Sequence, residues 1–152
     1  MPPVENITIV QGQFMVSRKP ETILRTVLGS CIAVCINDPK MRIGGMNHFL
    51  LPGHGYSERS RHDPRFGGTL MRLLVDELLK YGARREHMQA QLFGGADMHG
   101  VAGHIGAMNA IFAQTFLELE GVRTVGQCIG GRAARSLEFT PSNGYARQRH
   151  RH

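Results

Sequence analysis

The sequence has no tryptophan and only three cysteines, an odd number that cannot form a complete disulfide framework. It has no run of roughly 18 apolar residues that could span a membrane, and its N-terminus lacks the basic and then apolar pattern of a secretory signal. We therefore expect a cytoplasmic protein that does not insert into membranes and whose thiols stay reduced. A chain of 152 residues can bury a sizeable core without disulfides or metals, which favours one domain.

Signatures of phosphate and metal binding are also missing. Gly94-Gly95 and Gly103–Gly106 match neither Gly-x-Gly-x-x-Gly nor a loop that ends in Gly-Lys-Ser/Thr, so they predict close backbone approach instead. The eight histidines show no His-x-x-x-His spacing, and no Cys-x-x-Cys pair occurs. We expect no metal and no organic cofactor.

The formal net charge is +6, and its basic residues cluster in Arg59–Arg65, Arg84–Arg85 and Arg147–His152 rather than along one helical face. This distribution favours solubility, or attraction to an acidic protein surface, over nucleic-acid binding. The last cluster has no apolar periodicity. We therefore predict a single domain over residues 1–145 and a basic disordered tail over residues 146–152.

Apolar and β-branched residues between turn signals predict strands over Ile7–Val10, Phe14–Val16, Ile23–Leu28, Cys31–Ile36, Ile43–Leu51, Met88–Phe93, Val122–Ile129 and Arg135–Thr140. Helical spacing of apolar residues predicts helices over Thr69–Tyr81 and Ile105–Glu120. The turn-forming segment Asn37–Lys40 predicts a hairpin that sets the fourth strand beside the fifth, and Pro52–Gly68 is predicted to be an exposed loop. The pattern indicates an α/β (α+β) layered sandwich, with a mostly antiparallel sheet covered by two main helices.

Cys31 is the first candidate for chemistry. It follows Gly29-Ser30 and precedes an apolar strand. Glycine allows a tight turn, so consecutive N–H groups can point at one position near the sulfur, as an oxyanion site requires. The alternative is that Cys31 is a small core residue.

His48 is the second candidate, because the predicted hairpin brings it alongside the strand that begins at Cys31. A nearby histidine can carry the thiol proton during acyl transfer at neutral pH. The alternative is a core histidine with satisfied hydrogen bonds.

Several segments, in this order, resemble the chemoreceptor glutamine deamidases of the CheD family. They span residues 22 to 132 and include Val27-Leu-Gly-Ser-Cys-Ile-Ala-Val-Cys-Ile-Asn-Asp-Pro39, Gly44-Gly-Met-Asn-His-Phe-Leu-Leu-Pro52, Leu92-Phe-Gly-Gly-Ala96, Ile105-Gly-Ala-Met-Asn109 and Gly130-Gly-Arg132. The first two segments are the most diagnostic. The resemblance implies a sandwich similar to the catalytic domain of the cytotoxic necrotizing factor toxins, and a Cys–His–Thr set that deamidates protein glutamine through a thioester.

The resemblance also assigns residues. It implies that Cys31 is the nucleophile and His48 its base. The family threonine lies six positions before the cysteine, where this chain has Arg25, whereas Thr26 lies five before it. Either the strand carries a one-residue adjustment here or the role of the threonine is loosely placed, and a shift of one residue would turn the side chain to the opposite face of the sheet. We choose Thr26 as the third member.

Further expectations concern the surroundings of the site and its partners. Gly29 and Ser30 would form the oxyanion turn, and Asn47 and Asn109 are candidate pocket residues, although Asn109 could instead make a local backbone hydrogen bond. The resemblance implies that the substrates are the cytoplasmic helices of methyl-accepting chemoreceptors, and it implies a CheC-type phosphatase as a further partner.

Two rival interpretations stay open. The mismatch at Arg25 is compatible with a receptor-binding adaptor that has lost catalysis, for which binding without ammonia release is the test. A basic nucleic-acid-binding domain would instead show an affinity that falls steeply with salt.

Overall fold

The computed structural model describes residues 3–51, 67–98 and 104–151. These residues form nine strands and two helices, together with a single 3-10 turn over Arg85–His87. The elements are β1 (Glu5–Thr8), β2 (Phe14–Ser17), β3 (Thr22–Leu28), β4 (Ile32–Asp38), β5 (Ile43–Phe49), α1 (Gly67–Lys80), β6 (Gln89–Gly94), α2 (Ile105–Glu120), β7 (Arg123–Ile129), β8 (Ala134–Thr140) and β9 (Tyr145–Arg151).

The strands form two sheets. One sheet has the order β2-β5-β4-β6-β7 and the other has the order β1-β3-β8-β9. The pairs β1–β3 and β6–β7 are parallel, whereas the other pairs in both sheets are antiparallel. The predicted α+β class with a mostly antiparallel arrangement and two main helices is therefore confirmed, although two sheets replace the expected one.

Strand β4 separates the two apolar layers of the molecule. Ile32, Val34 and Ile36 pack with both helices, whereas Ala33 and Cys35 pack with residues of the four-stranded sheet. Because successive strand residues point to opposite faces, a strand between helices and a second sheet has no solvent face. This arrangement explains why every residue of β4 is buried.

Helix α1 supplies much of the outer layer. Leu70, Leu74 and Leu78 recur at helical spacing and are fully buried against the five-stranded sheet, whereas Leu73 is partly exposed. Each fully buried leucine contributes on the order of 1.5–3 kcal/mol relative to an exposed one. Neither helix in the described ranges is long and apolar enough to cross a bilayer.

The prediction of a disordered tail is wrong for the residues that the structure describes. Tyr145–Arg151 forms β9 and pairs antiparallel with β8 along its whole length. The paired backbone needs no apolar periodicity, and charged side chains are common on an edge strand because they discourage pairing with other chains. That residues 1–145 form one domain stays a prediction.

Smaller boundary differences affect the site. Cys31 lies just before β4 rather than inside it, and the second hairpin strand ends at Phe49. Of the predicted loop Pro52–Gly68, residues 52–66 lie outside the described residues, and the last two residues begin α1.

Candidate active site

The segment Gly29–Cys31 connects the two sheets. It follows β3 of the four-stranded sheet and precedes β4 of the five-stranded sheet. Because β4 runs antiparallel to β5 and β6, the start of β4 lies beside the ends of those strands. Cys31 therefore lies at the end of the five-stranded sheet where β5 ends at Phe49 and β6 ends at Gly94.

Glycine at position 94 allows the chain to pass very close to Cys31. Gly94 has φ +108°, and an added Cβ would lie 2.1 Å from the Cys31 carbonyl oxygen. The next residue, Gly95, donates its N–H to that oxygen at 2.8 Å, and Ala96 N–H donates to the Gly29 carbonyl at 3.0 Å. The predicted close backbone approach at Gly94-Gly95 is confirmed.

Asn109 holds the turn from the helix side. Its Nδ2 donates to the Ser30 carbonyl at 2.8 Å, and its Oδ1 accepts the Leu51 N–H at 2.8 Å. The side chain is fully buried. Asn109 thus joins the turn before β4 to the segment after β5 and does not line an open pocket.

The three carbonyl groups of Gly29, Ser30 and Cys31 are therefore all engaged. Within the described residues, the N–H groups of the same turn donate to no backbone carbonyl and no other residue's side chain. Burial raises the pKa of the Cys31 thiol, and the Cys31 N–H, which faces its own sulfur, opposes that rise in part.

His48 is anchored through one ring nitrogen. The Thr26 hydroxyl donates to the Ile9 carbonyl at 2.6 Å, so its oxygen is free to accept a hydrogen bond from His48 Nδ1–H, and the two atoms lie 2.8 Å apart. The Ile9 carbonyl lies 3.3 Å from the same Nδ1 and can only accept. Both neighbours therefore favour a proton on Nδ1, which leaves Nε2 with a lone pair to act as a base.

The side chain next to His48 is Thr26 and not Arg25. Buried and exposed residues alternate along β3, so Thr26 points into the space between the sheets while Arg25 points outward. Arg25 forms an ion pair with Glu138 at 3.1 Å on the outer face. The strand alternation thus answers the question that the sequence left open about which residue faces His48.

Cys31 and His48 share the face between the sheets. His48 pairs with Ala33, and Cys31 lies two residues before Ala33, just outside β4, where it packs against the same apolar cluster as Ala33. Among the described residues, no hydrogen bond joins Cys31 to His48. The Cys31 sulfur instead faces Gln11 Oε1 at 3.7 Å.

Burial keeps both groups neutral at rest. It lowers the pKa of the His48 imidazole, and the hydrogen bond to Ile9 opposes this change only in part. Burial also raises the pKa of the Cys31 thiol, against the smaller effect of its own N–H. At neutral pH the pair is therefore a thiol and a neutral imidazole.

Asn47 does not reach this face. Its Oδ1 accepts the Val34 N–H at 3.0 Å, and its Nδ2 lies 3.2 Å from the sulfur of Met71 on α1. The side chain is fully buried. Consecutive strand residues alternate, so Asn47 supports the packing of α1 while His48 faces the other way.

Two residues at the site carried no recognisable sequence signal. Gln11 lies between the first two predicted strands and was assigned no role, yet its side chain contacts the thiol. Arg135 was predicted only as the start of a strand, yet it is buried and donates to the Cys128 carbonyl at 2.5 Å and to the Gly130 carbonyl. Gly130 N–H in turn donates to the Gly94 carbonyl at 2.9 Å, beside Cys31.

A groove of about 850 Å³ along the four-stranded sheet is lined by Arg25, Arg147 and Arg149 and also by Thr26, but by neither Cys31 nor His48. Among the described residues, no group of three or more His, Cys, Asp or Glu side chains could hold a metal ion. His54, His62 and His99 lie outside those residues.

Two solved structures resemble this fold at low sequence identity. The Neisseria meningitidis protein NMB0706, of family DUF152, matches with a TM-score of 0.51 and 14% identity over 91% of this chain and 75% of its own. The Bacillus licheniformis hypothetical protein YfiH matches with a TM-score of 0.51 and 10% identity over 76% of this chain. The chain spans 49% of the YfiH length. The implied likeness to the toxin domain stays a prediction.

Sequence relatives are much closer. Proteins named "Probable chemoreceptor glutamine deamidase CheD" from Rhizobium meliloti and Caulobacter vibrioides are 48% and 46% identical, over 93% and 94% of this chain and 78% and 76% of their own lengths. Because so few residues at either end stay unaligned, both Cys31 and His48 lie within the aligned region. The family model described as CheD chemotactic sensory transduction matches residues 50–150. The chain belongs to the CheD family.

Proposed function

We propose that this protein deamidates glutamine side chains of chemoreceptors, with Cys31 as nucleophile, His48 as base and Thr26 as the residue that orients the imidazole. The observation that carries the proposal is the 2.8 Å contact between Thr26 Oγ1 and His48 Nδ1, which leaves Nε2 as the basic nitrogen on the face of Cys31. The names of the relatives support the substrate class.

The first half of the reaction forms a thioester. His48 Nε2 accepts the Cys31 proton as the sulfur attacks the glutamine Cδ, and the carbonyl electron pair moves onto oxygen. N–H groups of the turn at Gly29–Cys31 stabilise that oxyanion. The adduct collapses as the His48 imidazolium gives its proton to the amide nitrogen, and ammonia leaves.

The second half restores the enzyme. A water molecule gives a proton to His48 Nε2 and attacks the thioester carbon, and the new adduct expels the Cys31 sulfur, which regains the proton. The net change is glutamine plus water to glutamate plus ammonia. No step requires a metal or an organic cofactor. Each event exchanges a neutral side chain for a carboxylate, which would alter the charge along a receptor helix and bias its signalling.

Burial of His48 is compatible with this sequence of steps. A neutral imidazole at pH 7 can take the thiol proton at once, and the Thr26 oxygen supports the imidazolium that forms.

The proposal includes a cytoplasmic location, because the receptor segments concerned are cytoplasmic helices, and it includes a CheC-type phosphatase as a second partner.

The direct experiment incubates the purified protein with a chemoreceptor cytoplasmic fragment and measures ammonia and peptide masses. We expect a gain of roughly one dalton at specific glutamines with the native protein and none with Cys31→Ala. Modification by Cys31→Ala would refute the nucleophile. Binding of the fragment by the native protein without ammonia release would instead favour the adaptor.

A further inference from the structure

We propose that Gln11 is a further catalytic residue, whose side-chain amide donates a hydrogen bond to the oxyanion that forms when Cys31 attacks. This inference rests on the proposed function. The observation behind it is the Gln11 carboxamide 3.7 Å from the Cys31 sulfur, at the tip of the turn between β1 and β2.

Two backbone hydrogen bonds join the turn that carries Gln11 to the proposed catalytic histidine. Gly12 N–H donates to the His48 carbonyl at 2.8 Å, and His48 N–H donates to the Gln13 carbonyl at 3.1 Å. Gly12 has φ +90°, a backbone conformation that glycine adopts readily. The position of Gln11 is therefore tied to the base that serves the same nucleophile.

Other polar groups of this turn already have partners. Gln13 Oε1 accepts the Val10 N–H at 3.0 Å, and Gln13 N–H donates to the Val10 carbonyl at 3.0 Å. Gly12 N–H is occupied by His48. The Gln11 side chain is the group of this turn that contacts the thiol, and Cys31 is its hydrogen-bond partner among the described residues.

The resting contact and the catalytic contact use opposite ends of one amide. At rest the thiol donates to Gln11 Oε1. Once the thiol proton has moved to His48, the sulfur and then the substrate oxygen carry negative charge and can only accept. A half-turn about the last side-chain bond exchanges the amide oxygen for its NH₂ group, which presents a donor at the same place.

The distances are compatible with that role. The oxyanion is bonded to the carbon that the sulfur attacks, so a donor 3.7 Å from the sulfur can come within the required 2.7–3.1 Å of that oxygen. The Cys31 N–H, which faces its own sulfur, is the natural second donor. Bond making and breaking stay as in the proposed reaction, because Gln11 only donates and withdraws a hydrogen bond.

The test compares Gln11→Met with the native protein in two assays. Methionine has a similar length but no donor. On a chemoreceptor cytoplasmic fragment, kcat should fall about 100-fold with little change in KM, as expected for one lost oxyanion donor. Alkylation of Cys31 by iodoacetamide, which forms no oxyanion, should stay within about fivefold of the native rate, because a hydrogen bond that stabilises the thiolate also lowers its nucleophilicity.

Gln127→Met is the matched control. Gln127 is exposed on β7 and bonds only to the Gln114 side chain among the described residues, so the same chemical change there should leave both rates unchanged. A comparison of the two variants separates the effect of losing a hydrogen-bond donor beside Cys31 from the effect of replacing a glutamine elsewhere in the chain.

Three results would overturn the proposal for Gln11. One is a Gln11→Met protein with native kcat. Another is an alkylation rate that falls as far as kcat, which would make Gln11 a structural support of the thiol. The third is a native protein in which peptide masses show residue 11 converted to glutamate by Cys31, which would make it a substrate. Failure of the native protein to release ammonia from the fragment would instead refute the proposed function.

Discussion

Replacing Thr26 with valine removes one hydroxyl and keeps the shape of a β-branched side chain. The change deletes the 2.6 Å bond to the Ile9 carbonyl and the 2.8 Å contact with His48 Nδ1. The Ile9 carbonyl remains 3.3 Å from Nδ1, so the tautomer with the free Nε2 should persist. The loss is then one hydrogen bond to a developing imidazolium, on the order of 1.5–3 kcal/mol, which corresponds to about a 10- to 100-fold lower kcat.

The assay measures kcat on a receptor fragment beside the free energy of unfolding in urea. Thr22→Val is the matched control, because Thr22 is buried on the same face of β3 and its hydroxyl bonds Glu5 and Ser17 rather than His48. Both variants should lose stability, and only Thr26→Val should lose turnover. A native kcat in Thr26→Val, or equal losses in both variants, would refute the orienting role.

Three further predictions follow from the same geometry. Burial lowers the pKa of His48, so kcat/KM should rise with pH through a value below about 6.5, and the unfolding free energy should fall as pH drops from about 6.5 through the folded pKa, because the unfolded chain binds that proton first. His48→Gln should remove this slope in urea titrations, and an unchanged slope would contradict the assignment. Asn109→Ala removes the side-chain partner of two part-buried backbone groups, the Ser30 carbonyl and the Leu51 N–H, and should cost about 1–3 kcal/mol by chemical denaturation; a loss below about 0.5 kcal/mol would contradict its clamping role. Gly94→Ala should slow alkylation of Cys31 because its Cβ would meet the Cys31 carbonyl, whereas Gly130→Ala, also at positive φ but with open space around the new Cβ, should not; equal rates in the two would exclude the close approach as a requirement.

The fold class could be predicted because its cues are local. Apolar alternation and turn residues indicated β2 to β5, and the leucine spacing indicated α1 to within two residues of its start. The same cues failed at β9, where Arg147, Arg149 and Arg151 conceal a strand that is held by backbone pairing with β8. Side-chain periodicity gives little signal for an edge strand, because its backbone hydrogen bonds and not its side chains attach it to the sheet.

The sequence by itself placed Cys31 after a Gly-Ser turn and His48 on the neighbouring strand, because local turn chemistry dictates the hairpin, and the resemblance to the CheD family made them the proposed reacting pair. Only the tertiary structure decided what surrounds that pair. Thr26 reaches His48 from a different sheet, Asn109 reaches Ser30 from a helix, and Gln11 reaches the thiol from a turn twenty residues earlier. These contacts depend on how the two sheets and the helices stack on one another, and a single sequence carries no local signal for that stacking.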